Sequence, residues 1–154
     1  MKKYFFTLLV ALVIGFFLAD LFISQYTSPS SIKVSNIGEE LYFVQYGVFS
    51  TKESMEENTI SLENYVYSIE NDLYYVYIGI TKDSDNVAKI QSYFNDIGYN
   101  TIVKNYYISN KSFLEQLKNY DNLLKETTDK VAISSIINQV LIKYEEVVIS
   151  GSQN

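Results

Sequence analysis

Carboxylates are the main candidates for catalysis in this sequence of 154 residues, because it contains no histidine and no cysteine. Nucleophile–imidazole pairs, thiolate chemistry and the usual zinc and iron sites are therefore excluded. Glutamates occur as the adjacent pairs Glu39-Glu40, Glu56-Glu57 and Glu145-Glu146. Adjacent side chains point in different directions on a helix or a strand, so these pairs predict solvated charge and not a facing acid and base. We therefore expect that the protein is not an enzyme and that it has no cofactor and no metal site.

The charged residues also bear on the class of partner. All twelve basic residues are lysines, and the formal net charge is −6. The forked guanidinium group that recognises phosphates and bases in pairs of hydrogen bonds is missing. We therefore expect no nucleic-acid partner.

The aromatic residues are the candidates for binding chemistry. The chain has 15 tyrosines and 9 phenylalanines, and two of its segments echo each other: residues 41–49 read LYFVQYGVF and residues 73–81 read LYYVYIGIT. Both are aromatic and β-branched runs of strand length that reach a glycine, Gly47 or Gly79, and then turn polar. We expect both to be strands.

A helix is predicted after each of these strands. Ser50 with Glu53 forms a capping box for the first, whose expected core contacts are Met55, Ile60 and Leu62. Several N-cap candidates in residues 82–85 open the second, and Gly98 ends it in a left-handed cap.

Further strands are predicted at residues 65–70 and 99–108, with Asn71-Asp72 as a two-residue hairpin turn. Strand–helix–strand, tight turn, strand–helix–strand is the order of a ferredoxin-like βαβ-βαβ domain. Such an α+β domain has a four-stranded antiparallel sheet and both helices on one face. We assign residues 41–108 to this domain.

The second face of that sheet is the candidate binding surface. Strand alternation places Phe43, Gln45, Tyr75 and Tyr77 together on it. Three rings and an amide suit a carbohydrate, and rings also stack on RNA bases, although the negative charge disfavours RNA. The alternative is that helices of the C-terminal region cover this face and make these residues ordinary core.

The two echoing segments resemble the SPOR (sporulation-related repeat) domain. The family's signature is an aromatic–Val–Gln–x–Gly–small–Phe strand with a Tyr–Arg–Val–x–x–Gly echo. By position, the family's binding glutamine corresponds to Gln45 and its small residue to Val48. The arginine of the family's echo corresponds to Tyr75, and the aromatic residue two positions earlier corresponds to Leu73, beside Tyr74. Only the glutamine is retained as such. The resemblance covers roughly residues 40–108 and implies the same fold and binding to peptidoglycan, with a preference for denuded glycan strands.

The N-terminal segment predicts a membrane anchor. After a short tip at residues 1–3, residues 4–23 form an apolar run interrupted only by Asp20. As a helix this run is about 28 Å long, close to the thickness of the bilayer's hydrocarbon core. The alternative, a cleaved signal peptide, is disfavoured because Phe17 and Phe22 stand where cleavage needs small residues. Lys2 and Lys3 place the N-terminus in the cytoplasm, so we expect a single-pass protein of the cell membrane with its domain outside.

Two further segments complete the chain. Residues 24–40 are polar, contain the only proline and predict a tether. Residues 109–150 carry an apolar helical stripe, with Ser112 and Glu115 as a capping box. Residues 127–129 favour a break into two helices over one bent helix.

The sequence is compatible with two functions. The first is a membrane-anchored, extracytoplasmic SPOR-like module that binds peptidoglycan during cell division or sporulation. The second is an extracytoplasmic scaffold whose sheet face or C-terminal helices bind division or sporulation proteins.

Overall fold

The computed structural model describes residues 38–149. The predicted cytoplasmic tip, the transmembrane helix at residues 4–23 and most of the tether lie outside the described residues. Among residues 38–149, no helix has the length and apolar character needed to cross a bilayer. The membrane anchor therefore stays a prediction.

The described chain forms four strands and four α-helices. In chain order they are β1 (Glu39–Phe49), α1 (Lys52–Thr59), β2 (Val66–Glu70), β3 (Leu73–Thr81), α2 (Ser84–Asp96), β4 (Ile102–Ile108), α3 (Lys111–Glu126) and α4 (Lys130–Tyr144), followed by a π-helical turn at Glu145–Ile149. The strands pair antiparallel in the order β2-β3-β1-β4. The predicted α+β class, element order and four-stranded antiparallel sheet are confirmed. β1 starts two residues earlier than predicted, while β2 and β4 start at Val66 and Ile102.

The turn between β2 and β3 is built as its two residues predict. Asn71 and Asp72 have φ values of 51° and 62°, so both lie in the left-handed region that a type I′ hairpin turn requires. Asparagine and aspartate adopt this region more readily than most residues because their short polar side chains bond locally. Glu70 pairs with Leu73 directly across the turn, and the predicted two-residue hairpin is confirmed.

Two helix starts differ from the predicted capping boxes. Thr51, and not Ser50, caps α1, with its side-chain oxygen accepting from the Ser54 N–H at 3.1 Å. Asn110, and not Ser112, caps α3 by accepting from the Phe113 N–H at 3.0 Å. Each true cap lies three residues before the amide that it satisfies, which is the geometry that defines an N-cap. The predicted residues have the right chemistry, but the helix starts elsewhere.

The first face of the sheet is packed by α1 and α2. Met55 of α1 and Ile90 of α2 are buried with Val44 and Val76 of the central strands. At Gly79 an added Cβ would lie only 2.8 Å from Ile90 Cγ2, so the missing side chain is what lets α2 approach β3 closely. The prediction that Ile60 is a core contact is wrong: it follows the last residue of α1 and is 83% exposed.

The C-terminal region forms two helices, as favoured. Asp129 opens α4 by accepting from the Ala132 N–H at 2.8 Å. Polar contacts join the pair to the rest of the domain. Lys89 of α2 donates to the carbonyls of Leu124, Lys125 and Thr127, at 2.6, 3.0 and 2.8 Å. These carbonyls lie at the end of α3, where the helix dipole favours a cation.

Asp121 of α3 makes a second, buried connection. It accepts from the Thr81 hydroxyl at 2.5 Å, from the Lys82 N–H at 3.0 Å and from the Asn86 amide at 3.4 Å. Burial raises the pKa of its carboxyl. These contacts, together with the buried apolar residues of α3 and α4, make the C-terminal helices part of the same core as the sheet.

Candidate functional site

The strand register decides which predicted site residues share a face. Gln45 lies opposite Tyr77, and Val48 lies opposite Tyr75, with Ile78 and then Tyr46 skipped in the pairing of β1 with β3. Directly opposed residues point to the same side of a sheet. The second face therefore carries five of the six predicted residues, which are Phe43, Gln45, Val48, Tyr75 and Tyr77.

Tyr74 is the exception. It pairs with Phe49, and its ring lies 5.9 Å from that of Tyr67 on the opposite side of the sheet. Gly47 stands beside the bulge in β1, where an added Cβ would lie 2.8 Å from the Phe49 ring. Gly98 follows α2 with a φ of +92°. The glycines thus serve the backbone and not the face.

The second face is not open as expected. Phe43 and Tyr77 are 0% exposed, and Gln45 is 5% exposed. The Phe43 ring packs edge-to-face against Tyr77, Tyr106 and Tyr144 at 5.5, 5.1 and 5.5 Å. Because Tyr144 belongs to α4, the alternative of a face covered by the C-terminal helices is what the structure has here. The expected exposure of Phe43, Gln45 and Tyr77 is wrong, since the apolar stripe of α4 needed a partner and this face supplies one.

A hydrogen-bonded cluster crosses the covered face. The Tyr77 and Tyr106 hydroxyls bond to each other, and Tyr106 donates to Glu70 Oε1 at 3.0 Å. Ser68 donates to the same oxygen at 3.2 Å and lies 3.4 Å from the Tyr77 hydroxyl. Tyr106 is on edge strand β4 and Glu70 is on edge strand β2, so this contact requires the sheet to curl around its second face.

The hydroxyl groups of this cluster are neutral hydrogen-bonding groups. Burial raises the pKa of Tyr77 and, more strongly, that of Tyr106, so both hydroxyls stay protonated at neutral pH. Within residues 38–149 no three acidic side chains come together as a metal site would need. The groups on this face can donate and accept hydrogen bonds, and their rings can pack against apolar surfaces.

Part of the second face remains accessible, and we call it the exposed strip: Val48, Tyr75, Ile102 and Lys104. Val48 is 41% and Ile102 is 54% exposed, Lys104 is exposed and Tyr75 is half-buried. Ile102 lies opposite Gln45 on β1, and Lys104 lies opposite Phe43. Gln45 therefore lies at the base of the strip, and its Oε1 is buried without a hydrogen-bond partner among the described residues.

Sequence reasoning missed several contributors to this face, among them Ser68, Glu70, Ile102, Lys104 and Tyr106. Alternation along β4 puts Ile102, Lys104 and Tyr106 on one side. The sequence shows that alternation. Which side of the sheet these residues share with Phe43 and Gln45 follows only from the pairing of β4 with β1.

Comparison with known proteins adds one partial similarity. No known protein family and no curated protein sequence matches the chain. A solved structure that is similar to part of it is the solution structure of the peptidoglycan binding domain of the B. subtilis cell wall lytic enzyme CwlC. The two are 26% identical, the match covers 48% of this chain and 98% of that chain, and the TM-score is 0.37. That TM-score is too low to establish a shared fold.

Proposed function

We propose that the domain is a non-catalytic module that binds glycan strands of peptidoglycan, in the manner of SPOR domains. Residues 4–23 would anchor it in the cell membrane with the domain outside, at sites of cell division or sporulation. The observation that carries the proposal is the exposed strip, which lies beside the amide of Gln45, whose oxygen has no hydrogen-bond partner within residues 38–149. The SPOR-like motif and its echo lie on the paired central strands β1 and β3 that form this face.

The chemistry of the strip suits a sugar polymer. Tyr75, Val48 and Ile102 offer apolar surface to the C–H faces of sugar rings. Gln45 Oε1 is buried beneath the strip, so it would accept from a sugar hydroxyl or an acetamido N–H only after the side chains above it move aside; its burial without a donor is a cost that such a bond would remove. Glycan strands without stem peptides carry no phosphate, and the lactyl carboxylates of their muramic acid residues could pair with Lys104 of the strip, so the net charge of −6 does not exclude them.

Sedimentation with wall material tests the proposal. The purified full chain would be spun down with sacculi from which the stem peptides have been removed, and with intact sacculi as a comparison. We expect binding to the denuded strands and about a tenfold loss of affinity in Tyr75→Ala, equivalent to about 1.4 kcal/mol. Tyr107→Ala is the matched control, because Tyr107 is an exposed tyrosine whose neighbour Tyr106 points to the second face. A parent chain that stays in the supernatant, or equal losses in both variants, would reject the proposal.

A second candidate function is a scaffold for other extracytoplasmic proteins. It is favoured by Leu123 of α3 and Val131 of α4, large apolar side chains that remain 53% and 78% exposed. In that case Leu123→Lys with Val131→Lys would abolish recruitment of the protein to its site in the cell. Tyr75→Ala would leave that recruitment unchanged, so fluorescence localisation of the two variants separates the candidates.

A further inference from the structure

A small pocket that shares no lining residue with the exposed strip lies where three parts of the chain meet. Its walls are the segment between α1 and β2, the C-terminal end of α2 and the middle of α4. The cavity volume is 170 Å³, the space of roughly six water molecules. It can hold one ring-sized ligand but not a longer chain.

The base of the pocket is apolar and aromatic. Phe94 and Ile137 line it and are almost fully buried. Tyr93 and Tyr99 stand beside Phe94, with ring centroids 5.1 and 6.4 Å from its own. Both tyrosines are half-buried, so part of each ring faces the cavity or solvent. Such surface suits a ligand that has an apolar C–H face.

The rim of the pocket is polar and spans separate segments. Asn138 of α4 donates to Glu63 Oε2, and the hydroxyls of Ser61 and Tyr99 lie 2.8 Å apart. These bonds leave capacity, because a carboxylate has about four lone-pair sites and an amide has a second N–H and an oxygen. A ligand with several hydroxyls could therefore bond to donors and acceptors on the rim.

The charge of the residues that line the pocket limits the class of ligand further. Glu63 is the charged residue in the lining and no lysine contributes to it, so an anionic ligand is disfavoured. Apolar rings at the base with hydroxyl, amide and carboxylate groups at the rim match a neutral sugar. From these observations we propose that this pocket binds a single neutral pyranose ring.

The pocket lies at the end of the sheet opposite to where the chain enters β1. Ile102, at the start of β4, lies opposite Gln45, whereas Glu39 lies opposite Ile108 at the other end. The pocket is beside the segment that leads into β4, and the chain enters β1 at the opposite end. The pocket is separate from the exposed strip and goes beyond the proposed function, since it would be a second sugar contact.

Saturation-transfer NMR on the purified full chain tests this inference, with N-acetylglucosamine as the probe. We expect transfer to the C–H protons of the ring, with a dissociation constant in the millimolar range. Glu63→Ala and Asn138→Ala should each weaken binding by about tenfold. Glu57→Ala is the matched control, since Glu57 is an exposed glutamate of α1 that does not line the pocket. Circular dichroism of each variant verifies that the fold is retained.

The outcomes separate this pocket from the exposed strip. Absence of transfer in the parent chain would overturn the inference, as would equal weakening in the Glu57→Ala control. Transfer that survives both pocket variants and disappears in Tyr75→Ala would place the sugar on the strip and also overturn it. Sedimentation with denuded sacculi is read separately in the same variants. A chain that fails to sediment yet binds the monosaccharide through Glu63 and Asn138 would reject the proposed function alone.

Discussion

The two faces of the sheet are covered by helices of different origin and different chemistry. The first face is covered by α1 and α2, each of which joins two strands that are consecutive in the chain but not adjacent in the sheet, and its central contacts are aliphatic, as at Val44 and Ile90. The second face is covered by helices that follow the last strand. There Phe43 is surrounded by three tyrosine rings.

The difference extends to hydrogen bonding. The second face encloses two buried polar atoms without a partner among the described residues, the Tyr144 hydroxyl and Gln45 Oε1, whereas the first face has one, the Tyr67 hydroxyl. A buried polar group without a partner costs about 1–3 kcal/mol. The C-terminal helices thus pack closely against the rings of this face, but two of its buried polar atoms have no hydrogen bond within residues 38–149. A face with this composition suits contact with a polar ligand along the part that stays uncovered.

Phe43→Ala should have the largest effect on the free energy of unfolding. This variant measures how much the second face contributes to stability. Phe43 is fully buried among rings, so its truncation leaves a cavity and should lower the free energy of unfolding by about 4 kcal/mol. Phe49→Ala is the matched control on the same strand, because Phe49 is only partly buried and lies opposite Tyr74. Urea unfolding measures both. Equal losses would mean that the C-terminal cover adds little to the second face.

The features that sequence predicted well are those set by neighbouring residues. Asn71-Asp72 specifies its turn because both residues tolerate positive φ, and Asp129 separates α3 from α4 because its side chain caps the next helix. The element order follows from two similar strand–helix–strand segments. In each case the deciding interaction spans only a few residues.

The features that sequence could not supply depend on distant segments. The skipped residues Ile78 and Tyr46 follow from how β1 pairs with β3, and neither strand alone contains that information. The same holds for the covering of Phe43 by Tyr144, which are separated by about a hundred residues in the chain. The sequence therefore places Phe43, Gln45 and Tyr77 on one face, as the register does, but it does not show that all three are buried.

The next largest effect is expected at alkaline pH, which should lower the free energy of unfolding through the tyrosines of the second face. Burial raises the pKa of Tyr77, Tyr106 and Tyr144 above the ordinary value of 10.0. The folded state therefore holds protons that the unfolded state loses. The contribution is fully present below about pH 10 and is lost as the pH rises further, by up to about 1.4 kcal/mol per pH unit for each tyrosine. Unfolding in urea at a series of pH values measures the slope.

A matched variant separates the share of the second face from that of Tyr67, a first-face tyrosine whose pKa burial also raises. Tyr106→Phe removes one of the titrating groups and should make the decline above pH 10 shallower. Tyr107→Phe, at an exposed position of the same strand, should leave it unchanged. A decline that is the same in the parent and in Tyr106→Phe would contradict this origin.

The smallest expected effect distinguishes a satisfied from an unsatisfied hydroxyl within the second face. Tyr77→Phe removes a hydroxyl that bonds to Tyr106 and should lower the free energy of unfolding by about 1 kcal/mol. Tyr144→Phe removes one that has no partner among residues 38–149. It keeps the ring contacts with Phe43 and Phe113, so it should raise the free energy of unfolding by up to about 1 kcal/mol. Thermal and urea unfolding of both variants measure the difference. A loss of stability in Tyr144→Phe would mean that its hydroxyl is bonded in solution, and the contrast in polarity between the two faces would then be smaller than the structure indicates.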